Sequence, residues 1–516
     1  MVDVEICDVV PRAKHRAPRE IEEVVVRRWD RRAAVPTAEG SAKLSPVAAS
    51  SVPAFRYADL FAGIGGFHAM LDHAGGRCVY VSEIDREARA TYVRNWVDPL
   101  PEQDRPVVNE DIRRDTAEGR PVGVPAHDVL AAGFPCQPFS KSGHQRGMEE
   151  ARGTLFWNIA RVLEATTPSV VLLENVRNIA GPRHAHEWDI IIRTLREIGY
   201  RVSAQPTVFS PHLLPPWRGG TPQVRDRVFI LGTFIGPRRV REELAAGEEP
   251  ARTVTRTPVD GWSVDSWRTD WIMDPDESIG DIFRYRLDAD ETAWIDAWED
   301  LVQRMRRRTG LRLPGFPLWA DAWVPERTLT ADEMDHHPVW KQRILLKNAR
   351  FYDDNRSVVD DWRGGHPEFQ RFPTSRRKLE WQARHATSLW DTVMHFRPSG
   401  IRAKDATYLP ALVAINQTSV HGPRRRRITP HEAARLQGFP GSFTLGDQRD
   451  SASYKQVGNG VAVGAAWHVF REHVLRDAAD LPAALVESVR GARLTPPTSV
   501  SVRTDLRLVD GLPVSA

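Results

Sequence analysis

At 516 residues the chain is too long for one compact core, so two domains with tails is the expected organisation. Its 71 Lys and Arg against 68 Asp and Glu leave a net charge of +3 and a pI of about 8.8, compatible with a polyanionic partner without demanding one. Three cysteines, Cys7, Cys78 and Cys136, at unrelated spacings exclude a disulfide framework and a Cys-X-X-Cys zinc site, and no run of about 18 apolar residues reads as a membrane span. The N-terminus carries Asp3, Glu5 and Asp8 without an apolar stretch of signal length, so a soluble, cytoplasmic, metal-free protein is expected. The basic residues are mainly arginine, a bias that a GC-rich genome explains without a functional reason.

Residues 19–32 have a helical pattern, and the Ala, Pro and Ser of residues 33–54 read as a flexible linker. From Phe55 short apolar runs alternate with helical patterns, and residues 57–61, 78–82, 128–132, 170–174 and 227–232 read as strands. This alternation predicts an α/β fold, a mostly parallel sheet covered by helices on both faces. It stops after Phe234. Residues 237–423 hold 11 of the 17 tryptophans, too many large apolar side chains for a disordered linker, so a separate folded module is expected there. Its inner end, residues 396–413, has the most ordered pattern. A helix start follows at Thr429-Pro430-His431-Glu432, where Thr429 caps, Pro430 suits the first turn and Glu432 completes a capping box. From Asp477 the chain is rich in Pro, Val and Arg and reads as peripheral.

Cys136 lies in Gly133-Phe134-Pro135-Cys136-Gln137-Pro138, where a predicted strand delivers a thiol into a turn stiffened by proline on either side. A lone cysteine is as readily a buried structural residue as a nucleophile. The turn Asp59-Leu60-Phe61-Ala62-Gly63-Ile64-Gly65-Gly66-Phe67 leaves the first strand and opens a helix, so its glycines let backbone approach a ligand. Glycines there also serve purely steric ends. Glu83 ends the second strand, where a carboxylate suits ribose hydroxyls, and Asp111 follows the next turn, where it suits an adenine amino group. Each acid alone is more often a solvated surface group; their order points to an adenosine-type cofactor. Glu174 ends the strand of residues 170–174, at the carboxyl edge where open α/β sheets bind substrates, and desolvation there would raise its pKa. Arg225 and Arg227 alternate onto one side, positions that neutralising a carboxylate would also explain.

Taken in order, these segments resemble the DNA cytosine-5 methyltransferases of bacterial restriction-modification systems. The resemblance rests on the glycine-rich segment from Asp59 to Phe67, Glu83, Asp111-Ile112, Pro135-Cys136-Gln137, Arg152-Gly153-Thr154-Leu155-Phe156, Glu174-Asn175-Val176 and Gln223-X-Arg225-X-Arg227. It continues in Thr429-Pro430-X-Glu432-X-X-Arg435 and in Tyr454 through Val461. It implies a Rossmann-like catalytic domain from residues 55–236 and 424–476, with 237–423 inserted as a target-recognition domain, 1–54 an N-terminal extension and 477–516 a tail. Cys136 would then add to cytosine C6, Glu174 would serve N3 and the exocyclic amine as an acid, Arg227 would bind the base oxygen and Arg225 would order the site.

S-adenosyl-L-methionine is the implied methyl donor, held by Phe61, Ala62, Gly63, Ile64, Gly65, Gly66, Glu83, Ile84, Asp111, Ile112, Gly133, Pro135, Leu155, Asn459, Gly460 and Val461. The implied partner is double-stranded DNA with its target base flipped out, bound by a monomer, while a cognate restriction endonuclease acts independently. Ser140, Ser142, Gln145 and Arg152 fall in a segment that resembles the mobile loop closing over DNA; Arg397, Arg402 and Gln417 are candidates for base readout, and Arg424 and Arg426 for phosphates. Gly460 stands where many relatives have a small hydroxyl residue or alanine. The alternatives are a tRNA cytosine-5 methyltransferase, which the large insert disfavours, and a catalytically silent DNA-binding regulator. A silent scaffold has no evident need for Cys136, Glu174 and both arginines together.

Overall fold

The computed structural model describes residues 53–135, 154–310, 313–412 and 418–496. Its main sheet is formed by β1 (Phe55–Leu60), β2 (Gly76–Ser82), β3 (Val107–Asn109), β4 (Val129–Gly133), β5 (Val170–Val176), β6 (Tyr200–Val202), β7 (Thr207–Phe209) and β9 (Arg227–Phe234), with β8 (Gln223–Val224) lying outside it. The strand order is β3-β2-β1-β4-β5-β9-β6, and β7 also pairs with β9. β3 through β5 run parallel, whereas β9 is antiparallel to β5, β6 and β7. The five expected strands are β1, β2, β4, β5 and β9, each within two residues of its predicted ends. β3, β6 and β7 are three-residue strands, too short to carry a readable period.

Successive strand residues feed two cores. Tyr57, Val129, Ala131, Leu172 and Leu231 face one side, with α1 (Gly66–His73). Ala58, Leu130, Ala132, Leu173 and Ile230 face the other, with α3 (Leu155–Thr166) and α4 (Ala185–Ile198); α2 (Arg86–Tyr92) follows β2. The chain steps from β1 outward to β2 and β3, then returns to β4 beside β1, so a crevice opens at the carboxyl ends of β1 and β4.

The segment from residue 289 onward builds a second body. It holds α5 (Ala289–Thr309), α6 (Val339–Gly365) and a sheet ordered β10 (Leu318–Trp319), β11 (Lys378–Trp381), β13 (Gly400–Asp405), β12 (Thr392–Arg397), β15 (Val420–His421) and β16 (Arg426–Arg427). Trp298, Trp323 and Trp362 form its centre in edge-to-face and tilted contacts, and each indole N–H finds an acceptor, respectively the Arg376 carbonyl, Asn348 Oδ1 and the Ala297 carbonyl. The tryptophans thus build a core, while the earlier stretch of the insert does something else: Ile272 and Met273 are buried in the catalytic-side core, with Val254, Val259 and Val264 against it.

Three helices of the C-terminal block close that first core: α7 (Pro430–Leu436), α8 (Asp450–Asn459) and α9 (Val463–Arg476). The predicted capping box is present, with Thr429 Oγ1 accepting from the Glu432 N–H and Glu432 Oε2 accepting from the Thr429 N–H. Residues 477–491 are not peripheral: α10 (Ala483–Gly491) falls here, and Leu485, Val486 and Val489 are buried in the same core, an apolar spacing hidden by the surrounding Pro and Arg.

Arg426 also departs from expectation. It is buried, with Nη2 2.7 Å and Nη1 2.9 Å from the two Glu432 carboxylate oxygens and Nε 2.9 Å from Asp276, so it is not a DNA phosphate contact. Glu432 therefore caps α7 and neutralises a strand arginine at once. Removing one partner of such a pair strands a buried charge, so Arg426→Ala should lower unfolding stability by about 3–5 kcal/mol in urea titrations, while Arg424→Ala, at a half-exposed site, should cost less than about 1 kcal/mol.

Candidate active site

Glu174 emerges at the end of β5, buried, opposite Phe229 of β9 and Gly133 of β4. The antiparallel run of β9 brings Arg227 beside it, with Nε 2.9 Å from Glu174 Oε1. Burial pushes the Glu174 carboxyl above its ordinary value, and Arg227 and Arg225 offset part of that rise. A buried carboxyl with a raised pKa and an adjacent guanidinium can hold a proton for a ring nitrogen and donate hydrogen bonds to a carbonyl oxygen. Asn175 has a structural task that its place in the motif did not disclose: Nδ2 donates to the Phe134 carbonyl at 2.9 Å, fixing the turn that leads into Pro135.

Arg225 does not reach the same space. It is 2 % exposed, and its guanidinium donates to the carbonyls of Leu412 (2.9 Å), Gly458 (2.9 Å) and Gly460 (2.8 Å), while Nε has no partner among the described residues. Burial pulls its pKa down to about 9, with Arg227 adding to the fall and Glu174 opposing it. Ser210 Oγ accepts from the Arg225 N–H at 2.9 Å and bonds His212 Nδ1 at 2.8 Å; nothing in the spacing of Ser210 signalled this role.

The glycine turn sits one strand away. Phe61 and Gly63 take positive φ values of 55° and 56°, and Gly65 takes 91°. A side chain at Gly65 would lie 2.2 Å from Trp96 Nε1, which instead donates to the Ile64 carbonyl at 2.9 Å. A Cβ at Gly66 would lie 2.8 Å from the Val461 carbonyl, so glycine admits the C-terminal motif to the turn. Gly63, in contrast, faces open space. Both Glu83 oxygens accept backbone N–H groups, from Gly63 and Asp85, at 2.7 Å. Beside it Ile84 is 64 % exposed, an apolar platform at the sheet edge.

The remaining predicted cofactor residues divide. Ala62, Ile64, Gly133 and Val461 converge on the same crevice, with Val461 Cγ2 3.8 Å and Glu174 Oε2 3.6 Å from where a Gly133 Cβ would lie. Asn459 is exposed at the end of α8, and Gly460 has φ −65° and ψ 155°, a backbone that any residue adopts, although a Cβ there would lie 3.3 Å from the Val457 carbonyl. Pro135 is exposed, and Leu155 opens α3 behind the Thr154 cap. Asp111 caps a short helix and is clasped by Arg113, which holds its carboxyl below the ordinary range; the Ile112 side chain is buried in the core. Cys136, Ser140, Ser142, Gln145, Arg152 and Gln417 lie outside the described residues.

Residues 55–474 match the C-5 cytosine-specific DNA methylase family. The chain is 47% identical over 497 residues to Type II methyltransferase M.AluI of Cellulosimicrobium cellulans, spanning 82% of this chain and 93% of that one. Type II methyltransferase M.HgiBI of Herpetosiphon aurantiacus is 30% identical over 443 residues, 79% of this chain and 94% of its own. Type II methyltransferase M.HhaI of Haemophilus parahaemolyticus is 39% identical over 176 residues, 34% of this chain and 48% of its own. The family match takes in both motif blocks and everything between them, and the chain belongs to the C-5 cytosine-specific DNA methylases.

Proposed function

We propose that the chain methylates C5 of a cytosine flipped out of duplex DNA, as the modification enzyme of a restriction system, and that the pairing of Glu174 with Arg227 at the carboxyl end of β5 carries this reading. C5 of cytosine is a weak nucleophile, and addition of a thiolate at C6 turns the ring into an enamine. Cys136 would make that addition, one residue beyond the Pro135 turn that Asn175 steadies. Protonated Glu174 would hydrogen-bond N3 and stabilise the charge that develops there, and Arg227 would bind the base oxygen. Once C5 carries the methyl that the donor would supply, loss of the C5 proton would allow elimination of Cys136. S-adenosyl-L-methionine, the methyl donor, fits the crevice at the β1 and β4 ends: Gly63 faces open space, Ile84 offers an apolar face for an adenine, and Glu83 retains acceptor capacity for ribose hydroxyls. Gly133, Asn459 and Val461 would complete the walls. Asp111 would reach an adenine amino group only by sharing oxygens already held by Arg113. The family match is to DNA methylases, which disfavours a tRNA substrate. No helix among the described residues is long and apolar enough to cross a membrane.

Cys136→Ser should reduce methyl transfer to duplex DNA by about a thousandfold or more while S-adenosylmethionine binding by calorimetry stays near wild type; a wild-type rate would refute covalent catalysis at this residue. Because the raised Glu174 pKa favours the protonated carboxyl, activity that depends on that proton is complete at low pH and is lost as pH rises through the raised value. Glu174→Gln should slow single-turnover methylation by roughly 10²–10⁴-fold and remove this alkaline limb; a retained limb would assign it to another group. Arg225→Met leaves three buried carbonyls without a donor, so it should raise the KM for S-adenosylmethionine about tenfold or more and lower the melting temperature, whereas Arg225→Lys should recover part of both.

A further inference from the structure

The sheet of the second body has two unlike faces. Leu379, Trp381, Ile401, Ala403, Met394, Phe396 and Val420 point into the tryptophan core. The alternating residues point the other way, and at one end this outer face is covered: Val393 joins the first core, His421 Nε2 bonds Thr269 Oγ1 at 2.9 Å, and Arg426 is held by Glu432. Along the same face follow Lys404 and Arg402 on β13, His395 and Arg397 on β12 and Lys378 on β11, with Lys404 still level with the covered Val393. The register sets Lys404 opposite Val393 and Arg402 between His395 and Glu380.

Glu380 is the carboxylate among them, and Arg402 takes it, with Nε 2.8 Å and Nη2 2.7 Å from Oε2. Lys378 lies over the Trp319 ring and Lys404 over Tyr408. Arg397, Lys404 and Arg402 all bear on His395, which bonds Ser419 Oγ at 2.5 Å and which burial, then those cations, hold down at a pKa of about 4. Arg397 ends β12 at an exposed two-residue tip, Pro398 and Ser399, and its Nη1 is shielded from solvent without a hydrogen-bond partner among the described residues. Nη1 cannot meet a ligand where it stands, and an incoming acceptor would meet the part of this half-buried side chain that remains accessible.

This face is continuous with the catalytic strand. Tyr408 contacts both Lys404 and the His212 ring, and Leu409 of β14 (Leu409–Pro410) pairs with Gln223, two residues before Arg225. Its charge suits a polyanion, and the β12–β13 turn, flanked by Lys378 of β11, presents Arg397 at the end of the sheet.

We propose that Arg397 reads a base edge and Lys404 binds a phosphate of the DNA beside the flipped cytosine, while Arg402 stays in its pair with Glu380. The assignment rests on the DNA methylase reading and sharpens it. Arg397, a planar fork at the ribbon tip, would separate the target sequence from others; Lys404, a point charge set back along β13, would grip all sequences alike.

The test uses the full chain and fluorescence anisotropy on two duplexes, one carrying the methylated site located by bisulfite sequencing and one with that site scrambled, across a salt series. Arg397→Ala should weaken binding to the site by about 5- to 150-fold and to the scrambled duplex far less, and Arg397→Lys should lose the same discrimination while keeping the salt slope. Lys404→Ala should weaken both duplexes equally and lower the salt slope by about one. Arg238→Ala, on an exposed helix of the first body with its side chain 87% exposed, controls for net charge and should change neither. Thermal melts verify that each variant folds. If folded Arg397→Ala and Lys404→Ala bind both duplexes within twofold of wild type, the face is not a DNA contact; equal loss on both duplexes for Arg397→Ala overturns base reading at that residue. If the wild-type chain methylates no duplex at all, the parent reading fails instead.

Discussion

The buried guanidinium of Arg225 is the constraint on which the site depends. Its three acceptors come from segments 187, 233 and 235 residues away along the chain: the strand end that leaves the second body, and the two glycines that flank Asn459. Burying a cation without a directly bonded carboxylate is expensive, and the downward pKa shift registers that cost. The expense is offset because three carbonyls at chain bends, which need donors anyway, are satisfied by one rigid fork. One side chain therefore fixes the distance between the Glu174–Arg227 pair, the proposed cofactor crevice and the root of the second body. Lysine has a similar charge but no fork, and cannot serve three carbonyls in one plane.

Much of this was legible before any coordinates. Apolar runs bounded by turn residues located β1, β2, β4, β5 and β9, and Thr429 with Glu432 announced a helix start that the structure contains. Strand direction was less legible, because an apolar run has the same period whichever way it is laid, so the reversal of β9 is invisible in it. Yet that reversal is what puts Arg227 at the carboxyl end of β5. The arginines show the same limit from another side. Arg225, Arg227, Arg402 and Arg426 are alike in sequence, and their fates differ because of partners that spacing does not reveal: carbonyls for the first, Glu174 for the second, Glu380 for the third and Glu432 for the last. A basic run before a helix reads as a phosphate grip until the carboxylate six residues on, already legible as a cap, turns out to be its counter-ion.

Where the apolar residues of the insert go is hidden for a related reason. Its tryptophans were sufficient to predict a folded core, and they do build one, but composition cannot tell which core an apolar residue joins. Ile272 and Met273 are as apolar as Ile295 and Met305; the first pair fills the core under α7 and α9, the second the tryptophan cluster. The chain thus covers its catalytic side before departing to form the second body, and the division lies within the insert instead of at its start.

That routing would couple the proposed DNA contacts to the chemistry. The second sheet is pinned to the first core by one end of a single face, through Val393, His421 and Arg426, while its other side is filled by tryptophans, of which Trp298, Trp323 and Trp362 each donate to an acceptor. Such a sheet has little freedom to tilt, since moving it breaks either a buried ion pair or a packed aromatic core. Its free cations are then presented at a set distance from Glu174, and a duplex that docks on them in a different register would leave its cytosine away from Arg227. Discrimination between sequences would in that case appear in the methylation rate as well as in affinity, because a misplaced base fails at the geometry of attack even when its phosphates are well bound.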